Sequence, residues 1–183
     1  MTPESEVSCS MKIIDNREQW FDEFNAGWLA HFRATGKFDW KLYPRIRNGA
    51  IDTQPGIELS RSRLGLISSA GAYLRTHQAP FDAANPLGDY SIRTFPSDTR
   101  FTELAYAHDH YDHAAVSLDP QVLLPLEHLR DFEEEGGIGA VASDVVSFMG
   151  FQPDAIRVLD EMIPAIVEHV KAQGWEAALL VPS

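Results

Sequence analysis

From residue 63 onward, short apolar runs alternate with amphipathic helical segments, and this alternation restricts the fold more than any other feature of the chain. The runs RLGLISSAG, residues 63–71, and AALLV, residues 177–181, have the apolar character of strands buried on both faces. Between them, residues 125–135 and 154–174 carry apolar side chains at helical spacing. The pattern predicts an α/β fold with a mostly parallel, Rossmann-like sheet flanked by helices.

The preceding part of the chain is organised differently. Residues 15–35 place aromatic side chains at helical spacing before Gly36, which predicts an N-terminal helix with a packing face. We therefore expect residues 1–60 to form an N-terminal helical extension with an irregular connecting segment, and residues 61–183 to form the α/β domain. We expect one structural domain overall. Shorter strands are predicted at residues 90–95, 104–107 and 138–142.

Charge argues against two classes of partner. The chain has 27 acidic and 15 basic residues and a net charge of −12, so its field repels nucleic-acid backbones and anionic membrane surfaces. No apolar run approaches the ~20 residues of a membrane span, and the N-terminus is polar and acidic, unlike a signal peptide. We therefore predict a cytoplasmic protein that binds neither. Cys9 is the single cysteine, so an intramolecular disulfide is impossible.

A histidine-rich string, HDHYDH, occupies residues 108–113. It matches the first metal-binding motif of the metallo-β-lactamase superfamily, but the later histidines that could complete such a site, His128 and His169, fall in predicted helices. A simpler divalent-metal site could use the imidazole and carboxylate groups of the string. The candidate ligands are His108, His110, Asp112 and His113. We favour a third interpretation, a polar ligand-binding loop at the carboxyl end of a strand.

Several side chains near predicted strand ends are candidates for the chemistry of this loop. Asp112 could orient His110 or act as a general acid or base, which makes these two the candidate catalytic residues. Arg93 could clamp a substrate carboxylate, or could form a structural pair with Asp89 or Asp98. The remaining candidate substrate-binding residues are Ser69, Ser97 and Tyr111.

Several short motifs fit one family in order and spacing. They are Ala70-Gly71-Ala72-Tyr73-Leu74, Pro80-Phe81-Asp82, Gly88-Asp89-Tyr90-Ser91-Ile92-Arg93, Pro96-Ser97-Asp98, His110-Tyr111-Asp112, Gly137-Ile138-Gly139, Ser147-Phe148-Met149-Gly150 and Leu179-Leu180-Val181-Pro182. Over roughly residues 62–183 the chain resembles the glycine/sarcosine/betaine reductase selenoprotein B and D-proline reductase family. The histidine string then corresponds to that family's H-x-x-D loop, and its lactamase match is accidental.

The resemblance implies reductive C–N cleavage of an amino-acid or amine substrate. In the family, a strand ending in Leu-x-Pro is followed at once by a selenocysteine or cysteine, whose anionic form attacks the α-carbon. The resemblance also implies a thioredoxin-type thiol donor and a pyruvoyl-containing partner subunit. This chain has Ser183 at or directly before that redox position, and Cys9 cannot replace the nucleophile. We expect the reading frame to continue through a UGA codon after Ser183, and the chain as given to be inactive.

Two other functional classes stay open. The chain could be a ligand-binding or assembly module without redox chemistry, or a small metal-dependent enzyme centred on His108, His110 and Asp112. The aromatic N-terminal helix and an exposed last strand make a homo-oligomer plausible in any of these classes.

Overall fold

A computed structural model of the protein describes residues 13–49, 56–107, 111 and 113–183. The chain divides into two compact units, Met1–Pro55 and Gly56–Ser183. Cys9 and four members of the histidine string, His108, Asp109, His110 and Asp112, lie outside the described residues.

The N-terminal unit is built on a helix where the sequence predicts one. It comprises α1, Arg17–Phe24, a π-helical turn, Asn25–Leu29, and α2, Ala30–Thr35. It ends at Gly36, whose φ of 67° lies in the left-handed region that favours glycine at a helix end. Rings along one face stack in sequence, with Trp20 to Phe24 at 4.7 Å and Phe24 to Trp28 at 5.3 Å. The aromatic stripe is therefore a packing face.

The second unit contains a four-stranded, mostly parallel sheet in the order β3-β5-β1-β6. Its strands are β1, Arg63–Ser68, β3, Arg93–Pro96, β5, Ala140–Ser147, and β6, Ala177–Val181. Strand β1 pairs in parallel with both β5 and β6, whereas β3 runs antiparallel to β5. The mixed α/β architecture predicted from the alternating pattern is confirmed.

Two strands differ from their predicted bounds. Strand β3 begins at Arg93 rather than at residue 90, because its pairing with β5 starts there, opposite Ser147, whereas the backbone N–H of Ser91 donates to the Asp89 carboxylate instead of to a strand. Strand β5 extends to Ser147, five residues beyond the predicted end, because it pairs along its length with β1. A separate two-stranded ladder joins β2, Ala72–Leu74, to β4, Leu104–Tyr106.

Helices connect the strands. They are α3, His113–Leu118, α4, Leu126–Glu134, α5, Ala155–Arg157, a π-helical turn, Val158–Met162, and α6, Ile163–Ala172. The Asp154 side chain caps α5 by accepting the N–H groups of Ile156 and Arg157, at 3.0 and 3.2 Å. The π-helical turn ends two residues before Pro164, which has no N–H to donate to the carbonyl four residues earlier.

Apolar side chains cover both faces of the sheet. On one face, Leu64, Leu66 and Val145 pack in a cluster with residues of α4. On the other, Ile67 and Val146 pack with Trp175 and residues of α6. A Cβ on Gly65 would lie 1.9 Å from the Trp175 ring, so this strand position requires glycine. Within the described residues, no helix is long and apolar enough to cross a membrane.

Candidate functional site at the carboxyl edge of the sheet

The carboxyl ends of β1, β5 and β6 meet at one edge of the sheet. Ser68 at the end of β1 is level with Ser147 of β5 and Val181 of β6. Beyond these positions the loops remain joined, since Ser69 N–H donates to the Val181 carbonyl at 3.1 Å and Gly71 N–H donates to the Phe148 carbonyl at 2.8 Å. In open α/β sheets this edge is where ligands bind.

Four serines stand at these strand ends, and we call them the hydroxyl cluster: Ser68, Ser69, Ser147 and Ser183. The backbone N–H of Ser183 donates to Ser69 Oγ at 2.8 Å, and the two hydroxyl oxygens are 3.0 Å apart. Ser183 Oγ also donates to the Ser69 carbonyl at 3.0 Å. Ser69 is buried, so its hydroxyl fixes the chain immediately after β6 against the loop after β1.

The two fully buried serines of the hydroxyl cluster join the region around the end of β1 to neighbouring segments of the chain. Ser68 Oγ donates to the Leu123 carbonyl at 2.9 Å, and Ser147 Oγ accepts the N–H of Ala72 at 2.8 Å. Without these hydroxyls, the corresponding backbone groups would be buried without a partner, which is costly. Ser68 and Ser147 therefore position the loop that carries Ser69.

The structure brings Tyr111 to the same loop. Its hydroxyl donates to the Ala70 carbonyl at 2.9 Å, and its ring stacks on His113 with centroids 4.8 Å apart. The end of β4 joins the same place, because Ala107 N–H donates to the Gly71 carbonyl at 3.0 Å. Of the predicted substrate-binding residues, Ser69 and Tyr111 thus lie on adjacent parts of one loop system.

Arg93 lies at the same edge, opposite Ser147, because β3 is antiparallel and begins where β5 ends. Its guanidinium donates to the carbonyls of residues 79, 80 and 92 and to Ser91 Oγ at distances of 2.8–3.3 Å. It also lies 4.4 Å from the centroid of the Phe81 ring. These contacts fasten the segment before β3. A carboxylate clamp at Arg93 stays a prediction.

Ser97 lies away from the hydroxyl cluster. Its N–H donates to the Ser143 carbonyl at 2.9 Å, and its carbonyl accepts from Arg130 at 2.9 Å. Ser143 is four positions before Ser147, which corresponds to roughly 13 Å along a strand. The separation follows from the antiparallel direction of β3, which carries its end away from the edge where it began.

The histidine string contributes Tyr111 and His113 to the described residues, and a catalytic role for His110 and Asp112 stays a prediction. Over residues 13–49, 56–107, 111 and 113–183, no group of three or more potential ligands could hold a metal ion. His128 and His169 lie in α4 and α6, as predicted. Tyr106, which precedes the string, is largely buried, and this burial raises the pKa of its phenol to about 12. Its hydroxyl therefore stays protonated at neutral pH.

The model of the glycine/sarcosine/betaine reductase selenoprotein B family matches residues 43–183 of this chain. The chain belongs to this family. The predicted resemblance is thereby confirmed, and the match begins about 20 residues before the motifs at residue 62 that indicated it. The region that matches the reductase selenoprotein B family thus includes all four strands of the sheet and the hydroxyl cluster.

Three relatives connect the family to named reductase subunits. The D-proline reductase subunit gamma of Acetoanaerobium sticklandii is 29% identical over 140 residues, 76% of this chain. The sarcosine reductase complex component B subunit beta of Peptoclostridium acidaminophilum is 30% identical over 59% of this chain. The glycine reductase complex component B subunit gamma of Carboxydothermus hydrogenoformans is 28% identical over 71% of this chain.

The matched regions cover 56%, 25% and 30% of the lengths of these three relatives, respectively. The chain therefore spans about half, or less, of the reductase subunits that it matches. No solved structure matches the chain.

Sequence reasoning missed two features of this edge. The first is the role of Ser183 as a partner of Ser69, which becomes visible only when the register of β1 and β6 is known. The second is the stacking of Arg157 over the Tyr90 ring, at 4.0 Å from its centroid. Arg157 and Glu161 are four positions apart, a spacing typical of a helix-surface pair, and it gives no sign of the contact with Tyr90.

Proposed function

We propose that this chain forms the α/β part of a subunit that cleaves the C–N bond of an amino acid or amine reductively. The observation that carries the proposal is the family match over residues 43–183, together with the reductase names of the three relatives. In the reaction, the C–N bond breaks, the carbon and the nitrogen each gain a hydrogen, and a dithiol supplies two electrons as it becomes a disulfide.

In this proposal, the redox residue lies beside the hydroxyl cluster. In the family pattern a selenocysteine or cysteine follows Leu-x-Pro, and here Leu180-Val181-Pro182 brings Ser183 to that position or to the one directly before it. An anionic selenium or sulfur atom there would supply the nucleophile. The Ser69 hydroxyl, 3.0 Å from Ser183 Oγ, would donate a hydrogen bond that stabilises the anion. Tyr111 holds the adjoining loop through the Ala70 carbonyl.

The relatives' names support partner subunits, since two of them are components of reductase complexes. We propose a pyruvoyl-containing subunit and a thioredoxin-type thiol donor as partners of this chain, and a cytoplasmic location. We also propose a Rossmann-like arrangement of the α/β unit with the N-terminal helix as an extension. An edge strand supports self-association, because β6 is uncharged and 68% of Leu180 is exposed.

The first experiment determines the gene sequence from codon 183 onward. We expect an in-frame UGA or cysteine codon directly after that codon, followed by a stretch that encodes a helix. For a UGA codon we also expect a selenocysteine insertion signal. A different stop codon with nothing readable beyond it would remove the redox residue from the proposal and favour a ligand-binding or assembly module.

The second experiment measures the activity. Extracts of cells that carry the gene are supplied with a dithiol and with glycine, sarcosine, betaine or D-proline, and the released amine or the reduced acid is quantified. We expect dithiol-dependent cleavage of at least one substrate, its loss when the gene is deleted, and its return when the gene is restored. Cleavage that is unchanged in the deletion strain would contradict the proposed function.

A further inference from the structure

A cleft of about 590 Å³ opens beside the carboxyl edge, between the loop before β3 and the helical residues 157–165. Its position follows from the sheet, because β3 begins opposite the end of β5 and the loop before it therefore lies at this edge. Gly88, on the cleft wall, has a φ of 82°, and a Cβ there would lie 2.6 Å from the Phe151 carbonyl. The volume is within the usual range for small-molecule sites.

Arg157 is held in a fixed orientation on one side of the cleft. Its guanidinium lies 4.0 Å from the Tyr90 ring centroid, and its Nε and Nη2 atoms each donate to Glu161 at 2.7 Å. The ring is itself fixed, because the Tyr90 hydroxyl accepts the N–H of Asp154 at 2.7 Å. No described residue accepts a hydrogen bond from Nη1 of Arg157, so both N–H donors of this nitrogen are available on an oriented cation.

Carboxylates line the cleft as well. Asp89 accepts hydrogen bonds from the Ser91 hydroxyl and from the backbone N–H groups of Ser91 and Asp82. Burial by itself would raise the pKa of Asp89, but these hydrogen bonds and the nearby Arg93 charge together lower it below its usual value. Asp82 is a second carboxylate on the wall. Glu161 already balances Arg157, so the cleft as a whole is negative.

The cleft thus combines an oriented guanidinium with two donors to spare and an excess of carboxylate. We propose that it binds a small zwitterion, with the ligand's carboxylate on Nη1 of Arg157 and its cationic nitrogen facing Asp89. A bare anion is opposed by the net charge of the cleft, and a bare cation leaves the donors of Arg157 unused. This assigns carboxylate recognition to Arg157, whereas the donors of Arg93 serve the backbone and Ser91.

The inference rests on the proposed function in one respect, namely that the zwitterion is the substrate whose C–N bond is cleaved. The binding site itself is tested without the reaction. Calorimetric titration of the purified chain compares glycine, sarcosine and betaine with their carbon isosteres propanoate, butanoate and 3,3-dimethylbutanoate. Ethanolamine and choline provide the cation without the carboxylate. We expect at least one zwitterion to bind with a Kd on the order of 1 mM and the matched analogues to bind at least about tenfold more weakly.

Variants locate the binding. We expect Arg157→Gln and Asp89→Asn each to weaken zwitterion binding by about tenfold or more, because each removes one charge partner. Arg61→Gln and Asp131→Asn make the same charge changes at exposed positions that do not line the cleft, and we expect unchanged binding. Glu161→Gln leaves Arg157 in place without its counter-charge, and we expect several-fold tighter binding.

Glu161→Gln also keeps the test informative if another variant misfolds. If Arg157→Gln unfolds, the tighter binding of Glu161→Gln still reports on Arg157. Equal binding of zwitterions and isosteres, no zwitterion binding, or equal weakening by Arg61→Gln would overturn the inference. Binding that follows the expected pattern, together with cleavage that is unchanged in extracts of the gene-deletion strain, would overturn the proposed function alone. Intact cleavage with unchanged binding in Arg157→Gln would overturn the inference alone.

Discussion

The hydroxyl cluster and the charged cleft lie at the same edge of the sheet, yet they use their polar groups in opposite ways. Ser68, Ser69 and Ser147 are buried, and each bonds a backbone group of a neighbouring segment. In the cleft, Arg157 is partly exposed, and both N–H donors of its Nη1 have no acceptor among the described residues. The cluster therefore maintains the geometry of the edge, whereas the cleft has bonding capacity left for a ligand.

The two arginines at this edge repeat the contrast. Arg93 donates four hydrogen bonds, three of them to backbone carbonyls, and so fastens the loop before β3. Arg157 is oriented by a ring and a carboxylate, and its side chain donates to no backbone carbonyl among the described residues. If the contrast is correct, substitutions in the cluster should reduce stability, and substitutions in the cleft should chiefly reduce binding.

Ser147→Ala should have the largest effect on stability. It leaves the buried N–H of Ala72 without its acceptor, at a cost of about 1–3 kcal/mol in the free energy of unfolding. Urea denaturation followed by circular dichroism measures the change. Ser117→Ala is the matched control, since Ser117 is exposed on α3 and its hydroxyl donates to the His113 carbonyl of the same helix. Equal stability of Ser147→Ala and the wild type would contradict the structural role of the hydroxyl cluster.

Ser69→Ala should have a smaller effect, on the order of 1 kcal/mol, because the exposed Ser183 can exchange its lost partner for water. The same substitution should increase hydrogen–deuterium exchange at the Ser183 amide, which is the N–H that Ser69 Oγ accepts. Amide exchange at Trp20, which bonds to Asn16 within the N-terminal unit, is the internal control. Unchanged exchange at Ser183 would show that Ser69 does not fasten the chain after β6.

The sheet was predictable in part because the apolar runs are local signals. Strand β6 has the predicted bounds, and β1 occupies the first six residues of the predicted run. The direction of β3 was not predictable, because its residues alternate equally well in either direction and the choice depends on pairing with β5. That direction separates Ser97 from Ser69, although both are polar residues at strand ends.

The site was less predictable than the sheet. Arg93 and Arg157 are both arginines near predicted element ends, and the sequence does not contain the distances that distinguish them. Arg93 meets the carbonyls of residues 79 and 80 because the loop folds back, and Arg157 meets Tyr90 from a distant part of the chain. Ser69 and Tyr111 were named from their chemistry, but only the tertiary structure places Tyr111 beside Ala70, the residue that follows Ser69.

The effect of Asp89→Asn on the free energy of unfolding should depend on pH, which distinguishes the cleft from the uncharged hydroxyl cluster. Its folded-state pKa is lowered from 3.8, so the ionised carboxylate stabilises the fold above that value, and this stabilisation is lost as pH falls through the folded-state pKa. Near neutral pH we expect Asp89→Asn to cost less than about 1 kcal/mol, since the carboxylate is largely solvent-screened. In urea denaturation the difference should shrink as pH falls below 3.8 and vanish once the folded-state carboxyl group is protonated. A difference independent of pH would mean that the asparagine perturbs packing rather than charge.

Glu161→Gln should have the smallest effect on stability. The pair with Arg157 spans four positions on a helix surface, and about half of each side chain is exposed, with values of 44% and 49%. Such pairs contribute about 0.3–0.5 kcal/mol, and Arg157 keeps its contact with the Tyr90 ring when Glu161 is neutral. Denaturation in low and high salt should give nearly the same midpoint for the variant and a slightly salt-dependent one for the wild type. A loss above about 1 kcal/mol would mean that the pair is structural. The cleft would then resemble the hydroxyl cluster, with its charges committed to the fold and not to a ligand.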